Sequence, residues 1–160
     1  MIKTFFAWAD TVSSIALVPG RFAEHTWVTT YEHVLSCPPD PVDGEYWYCR
    51  GDCRTTPPQN KNVRLLGVRS GDTAFAIRVG VPNDESCNMG LRYGVHGVCH
   101  QMANRLLRAT GIDGGPPLTV ANAKGYLLSE AMFGVYGGKG ARGRPIREAW
   151  DRLVDDWQQS

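Results

Sequence analysis

Tyr93-Gly-Val-His-Gly-Val-Cys-His-Gln-Met-Ala-Asn-Arg-Leu-Leu107 is where the chain changes period. Counting from Cys99, apolar residues recur at offsets of 3, 4, 7 and 8, at Met102, Ala103, Leu106 and Leu107. That is the stripe of an amphipathic helix. Gly94 and Gly97 precede it and Gly111 is placed to end it. Cys99 therefore opens the helix on its core-facing side. A thiol there meets backbone N–H groups that have no partner within the helix, at the positive end of the helix dipole. Both influences predict a lowered thiol pKa. The same N–H groups could hold an oxyanion on a substrate carbonyl. His96 precedes Cys99 in the loop and His100 follows it, about 100° round the helix. His100 is expected to cap or pack, and His96 to line a cleft as a reserve base.

Upstream of this helix the pattern is that of strands. Residues 2–9 read as a strand or a short buried segment. His25 to Val34 is β-branched and aromatic, and a period of two puts His25, Trp27, Thr29, Tyr31 and His33 on one face. Val63–Arg69 and Thr73–Val81 read as two further strands around a Ser70-Gly71-Asp72 turn. Between these lies a Pro-, Asp- and Asn-rich excursion, residues 37–62, with one strand-like piece at Tyr46–Cys49. Downstream, residues 120–134 look helical but are interrupted by Gly125, and 137–143 reads as a flexible link. Pro145 opens a last helix, about 145–158, with Ile146, Ala149, Trp150, Leu153, Val154 and Trp157 on one stripe. It is assigned to docking, without chemistry. The whole predicts a single α+β domain over 1–160, an antiparallel sheet packed on the helix that bears Cys99.

Composition narrows the function. The chain has 160 residues, 42% hydrophobic and 21% charged, with 17 Lys and Arg against 16 Asp and Glu. A net charge of +1 supplies no field for a polyanion, so nucleic acid is not an expected partner. Apolar runs such as Phe5–Ala9 and Ile15–Val18 are far below the roughly 20 residues of a membrane helix, so no membrane span is expected. Asp10 directly after Phe5–Ala9 spoils the likeness to a secretion signal. The chain is expected in the cytoplasm, or exported by a route that reads something else. No cofactor is called for.

A thiolate needs a proton shuttle, and His25 begins a strand suited to packing on the helix. Here two short motifs point to a family. Gly97-Val-Cys-His-Gln-Met-Ala-Asn-Arg-Leu-Leu107 resembles the nucleophile helix of the circularly permuted NlpC-type papain-like enzymes, the group that includes lecithin retinol acyltransferase-like proteins. His25-Thr-Trp-Val looks like that group's histidine strand, and it precedes the cysteine, as the permuted order requires. Val98 stands where that group commonly has Asn, and Gln101 stands near an expected aromatic. The resemblance implies a papain-like core, Cys99 as nucleophile and His25 as general base. It also implies a third polar residue to orient the imidazole: Glu45, if Tyr46–Cys49 is the following strand, or a polar residue of 63–81. His96 and Gln101 are further cleft candidates. His33 lies eight residues from His25, about 26 Å at strand rise, too far to hold its ring.

The implied chemistry is thiol-dependent hydrolysis of an amide bond, in a peptide, a protein or a cell-wall peptide of peptidoglycan type. Side-chain deamidation by a delivered bacterial effector and acyl transfer use the same dyad. A toxin of this kind would have an immunity or inhibitor protein as partner. The competing class is a non-enzymatic binding domain organised by Cys37, Cys49, Cys53 and Cys87, with Cys99 merely buried. Those four cysteines are open to zinc, bridges or free thiols, although only Cys49 and Cys53 are closely spaced. Papain order is a further alternative, with Cys37 or Cys49 as nucleophile and His100 as base. Neither cysteine clearly opens a helix. Gly137–Gly143 lacks the Lys-Ser/Thr ending of a phosphate loop and is read as a linker.

Overall fold

The computed structural model describes residues 2–11, 24–30, 46–47, 53–54, 63–72, 91, 95–110 and 118–159. Within these the chain is α+β. Strands β1 (Ile2–Thr11), β2 (Glu24–Thr29), β3 (Tyr46–Trp47), β4 (Cys53–Arg54) and β5 (Arg64–Asp72) precede helices α1 (Cys99–Thr110), α2 (Tyr126–Phe133) and α3 (Arg144–Gln159). The sheet order is β4-β3-β2-β1-β5, and every pairing is antiparallel. Three long strands do most of the work, and β3 and β4 add a short extension beyond β2.

Period-two alternation gives the sheet two different faces. Phe5, Ala7 and Ala9 of β1 and Val28 of β2 share one core with Ala103, Leu106, Leu107 and Ala109 of α1. Trp150 and Val154 of α3, both fully buried, close that core. The docking role expected for the last helix is what these two side chains perform. The other face carries Trp8, Trp27 and Val63, with Phe6 packed on them. Trp8 Nε1 donates to Thr29 Oγ1 at 2.8 Å within it.

β5 differs from expectation. Ser70, Gly71 and Asp72 are not a turn: they pair with Thr4, Lys3 and Ile2, so the strand runs on to Asp72. Gly71 is needed there because a Cβ would fall 2.6 Å from the Thr110 carbonyl and 2.9 Å from Phe5. The register also slips between Ala7/Gly67 and Trp8/Leu65, leaving Leu66 as an extra residue. The slip inverts the parity of what precedes it. It turns Arg64 onto the α1 face, opposite Ala9, where it meets Glu24 of β2.

Glu24 is 2% exposed, and each of its polar groups has a partner. Its carboxylate accepts from Arg64 Nη2 at 2.7 Å, Arg64 Nε at 3.1 Å and the Lys124 amide at 2.9 Å. Its own amide donates to the Lys124 carbonyl at 2.9 Å, and its carbonyl accepts from His100 Nε2 at 2.8 Å. Burial pushes the carboxyl pKa up. The Arg64 and Lys124 hydrogen bonds outweigh that and hold it below the usual value. β2 is thus pinned at its first residue to β5, α1 and the 120s turn.

The region 120–134 splits at Gly125. Its φ of 82° lies in the left-handed region, and α2 starts only at Tyr126. Of residues 137–143, expected as a flexible link, Gly137, Gly138 and Gly143 are buried in close backbone contacts, while 139–142 are exposed. Gly137 has φ 83°, and a Cβ there would lie 2.7 Å from the His96 carbonyl and 2.5 Å from Leu91. The glycines permit close approach of two backbones, where a linker would use them for freedom. Among the described residues, no helix is long and apolar enough to cross a membrane.

Candidate active site

Cys99 is the first residue of α1 and is 4% exposed. Met102, Ala103, Leu106 and Leu107 are all buried with it, as the stripe requires. Val98 is the residue before the helix. It has no side-chain oxygen to cap the first turn, whereas Ser, Thr, Asp or Asn would. Gln101 supplies half of a capping box instead: its Oε1 accepts from the Val98 amide at 2.9 Å. The Cys99 and His100 amides and Thr26 are the neighbours that favour charge on the Cys99 sulfur, although the buried Thr26 hydroxyl itself has no hydrogen-bond partner.

The thiol is nevertheless not lowered as expected. Burial pushes the Cys99 thiol up, and the neighbouring polar groups of Thr26, His100 and Cys99 itself recover only part of that. The amides at the helix start favour the thiolate, but desolvation of the charged form is the larger effect.

His25 is not brought to Cys99. Ala7 pairs with Val28 and Ala9 with Thr26 on the α1 face, while Trp8 pairs with Trp27 and Asp10 with His25 on the other. The His25 ring stacks on Trp27 with centroids 5.6 Å apart and planes inclined by 18°. The β2 residue turned to Cys99 is Thr26, which is fully buried. Burial first, and then the charge of His100, lowers the His25 pKa to about 4. The strand packs on the helix as expected, and the dyad misses by one residue of parity.

His100 packs, as its position predicts. Its Nε2 donates to the Glu24 carbonyl, which leaves Nδ1 to accept from the Ser129 hydroxyl at 2.8 Å. Burial lowers its pKa, only partly offset by Glu24. Both ring nitrogens are engaged, and Cys37 and Cys49, the nucleophiles of the papain-order alternative, lie outside the described residues. Gln101 is fully buried and lines no cleft: its Nε2 donates to Ser129 Oγ at 3.1 Å and to the Gly134 carbonyl at 3.2 Å. His96 is half-buried in the turn before α1, and its carbonyl accepts from the Gly138 amide at 2.8 Å. Glu45, Cys37, Cys49 and Cys87 lie outside the described residues, and Cys53 is placed only by its strand pairing with Trp47. Among the described residues, no group of three His, Cys, Asp or Glu could hold a metal ion.

Sequence reasoning missed the polar side of α1. Asn104 donates to the Val135 carbonyl at 2.8 Å and to the Tyr126 hydroxyl at 3.2 Å, and accepts from the Val120 amide at 2.8 Å. Arg105 is fully buried, donates to the Tyr136 carbonyl and lies 4.9 Å over the Trp150 ring. Both residues, with His100 and Gln101, fasten segment 118–138 to the helix through hydrogen bonds, most of them to backbone. No family model, curated protein or solved structure matches this chain.

Proposed function

We propose that this chain is a thiol-dependent hydrolase of the papain-like kind, acting on an amide bond of a peptide or cell-wall peptide through a Cys99 acyl-enzyme. One observation carries the proposal: Cys99 is the first residue of α1, so the amides of the first turn, its own and that of His100 among them, favour negative charge on its sulfur. Donors that favour a thiolate are of the type that stabilises the oxyanion formed when a thiolate adds to a carbonyl. The resemblance of residues 97–107 to a nucleophile helix supports the same reading.

The proton acceptor in this proposal is His96. His25 fits poorly on two counts. It lies on the far face of the sheet, and a pKa of about 4 makes it a weak base near neutrality. His96 precedes Cys99 by three residues in the turn that leads into α1. Water would resolve the acyl-enzyme in hydrolysis. A protein side-chain amide as substrate would make the same chemistry deamidation, and an amine or hydroxyl acceptor would make it acyl transfer. If the protein is a toxin, an immunity protein is its partner.

A second reading is favoured by the burial of Cys99 and its raised thiol pKa: a binding domain in which this cysteine is a small core residue. Activity of Cys99→Ala against peptide and peptidoglycan substrates separates the two. Loss of hydrolysis in a folded variant supports the enzyme, and full hydrolysis sinks it.

A further inference from the structure

α2 carries a polar residue inward and its apolar residues outward. Leu127 is 78% exposed, Leu128 62% and Met132 57%, while Ser129 is buried with Tyr126 and Phe133. At about 100° per residue, Leu127, Ala131, Leu128 and Met132 fill an outward arc of about 140° that holds no polar side chain. A helix that is apolar on both sides is ordinarily covered. This arc leaves roughly 350 Å² of apolar surface in water, the size of patch that a monomer keeps for function and under half of the roughly 800 Å² per partner of a standard protein interface. It also offers no side-chain donor or acceptor, whereas protein interfaces carry about one hydrogen bond per 100–200 Å².

The loop that follows supplies charge. Residues 134–144 hold Lys139, Arg142 and Arg144, all exposed, and no acid. The loop is fastened to the C-terminal end of α2: the Lys139 amide donates to the Phe133 carbonyl at 3.1 Å, and Lys139 Nζ donates to the Ala131 carbonyl at 2.9 Å. It closes on itself where Gly143 meets Gly138, so tightly that a Cβ on Gly143 would fall 2.6 Å from the Gly138 carbonyl. A cleft lined by Leu127, Ala131, Val135 and Lys139 joins the apolar face to the loop. Glu130 also lines it, about 60° round the helix from Leu127 and outside the apolar arc. We propose that α2 and this loop form a docking site for an anionic lipid surface. Leu127, Leu128 and Met132 enter the acyl boundary, and Lys139, Arg142 and Arg144 meet lipid phosphates. The site goes beyond the reading of Cys99 and does not depend on it.

The test is co-sedimentation of the full chain with vesicles of phosphatidylcholine alone and of phosphatidylcholine with an equal part of phosphatidylglycerol. The chain is expected to pellet with the anionic vesicles, and about 0.5 M salt should release most of it. Leu127→Gln with Leu128→Gln should cut the partition at least about tenfold. Arg142→Gln with Arg144→Gln should cut it about fivefold per charge. All four side chains are exposed, so both variants should keep the wild-type circular dichroism spectrum. Ile2, 63% exposed on β1, supplies the control: Ile2→Gln removes apolar surface elsewhere and should leave the partition unchanged. Failure of the wild type to bind anionic vesicles would overturn the proposal. So would binding that neither pair of substitutions weakens, or that Ile2→Gln weakens equally. Sedimentation velocity without lipid tests the rival occupant. A dimer split by Leu127→Gln with Leu128→Gln would mean that a second copy covers the face, and would overturn the lipid assignment. No turnover enters these measurements, so an inactive Cys99 leaves their outcome standing.

Discussion

Thr26, and not His25, is the residue of β2 that faces Cys99. A single step along an extended strand turns a side chain to the opposite side of the sheet. If Cys99 is a nucleophile, as proposed, its proton acceptor comes from the helix side of the sheet, where the turn before α1 offers His96.

The two histidines separate the alternatives. His96→Ala is expected to slow acylation of Cys99 by roughly 10²-fold or more, the usual worth of a general base. His25→Ala should leave acylation within a few-fold of wild type, because the imidazole stacks on Trp27 behind the sheet. The opposite order in a stopped-flow comparison would restore His25 and require β2 to pack with the other parity.

Acid should destabilise the fold in two stages. His25 has its pKa lowered to about 4, and His100 is lowered in the same direction, so the unfolded chain binds more protons than the folded one below about pH 6.5. Stability is therefore full above that pH and falls as pH drops toward 4. Glu24 adds a second loss below its usual value of 4.5, because its folded pKa is depressed. Urea midpoints measured from pH 8 to pH 3.5 should decline through both windows. In His25→Gln the slope between pH 6.5 and 4 should be shallower, and an unaltered slope would count against the burial of His25.

Gly137→Ala tests the glycine loop. The residue has φ 83°, and a Cβ would press on the His96 carbonyl at 2.7 Å. A left-handed conformation alone costs a non-glycine residue roughly 1–2 kcal/mol, and the collision adds to it. The variant should lose at least about that much unfolding free energy. A variant as stable as wild type would show that the loop is not held this closely.

How far the sequence spoke depended on where each partner came from. The stripe of Cys99, Met102, Ala103, Leu106 and Leu107 was legible because it is internal to one helix. Trp150 and Val154 were legible for the same reason. The parity of β2 was not. Alternation separates His25 and Trp27 from Thr26 and Val28, but Trp27 is 1% exposed and Val28 fully buried, so hydrophobicity marks neither face as the one against the helix. The face that meets α1 also begins with a charged residue, Glu24, tolerated only because a bulge in β5 brings Arg64 to it. Gln101 reads as a cleft candidate, and nothing in the pattern singles out Asn104 or Arg105. Many of their partners are backbone groups of residues 98 and 118–138, which leave no signal in side-chain pattern.

The central claim is that Cys99 is a nucleophile, and its most direct measurement uses an activated ester. p-Nitrophenyl acetate should acylate the wild-type chain with a burst of p-nitrophenolate stoichiometric with protein, and peptide mass should place the acetyl group on Cys99. Cys99→Ala, with an unchanged circular dichroism spectrum, should show no burst. A burst that persists in Cys99→Ala, or a wild-type chain whose acetyl group is found elsewhere or not at all, would contradict the account and leave Cys99 as a buried residue of the core.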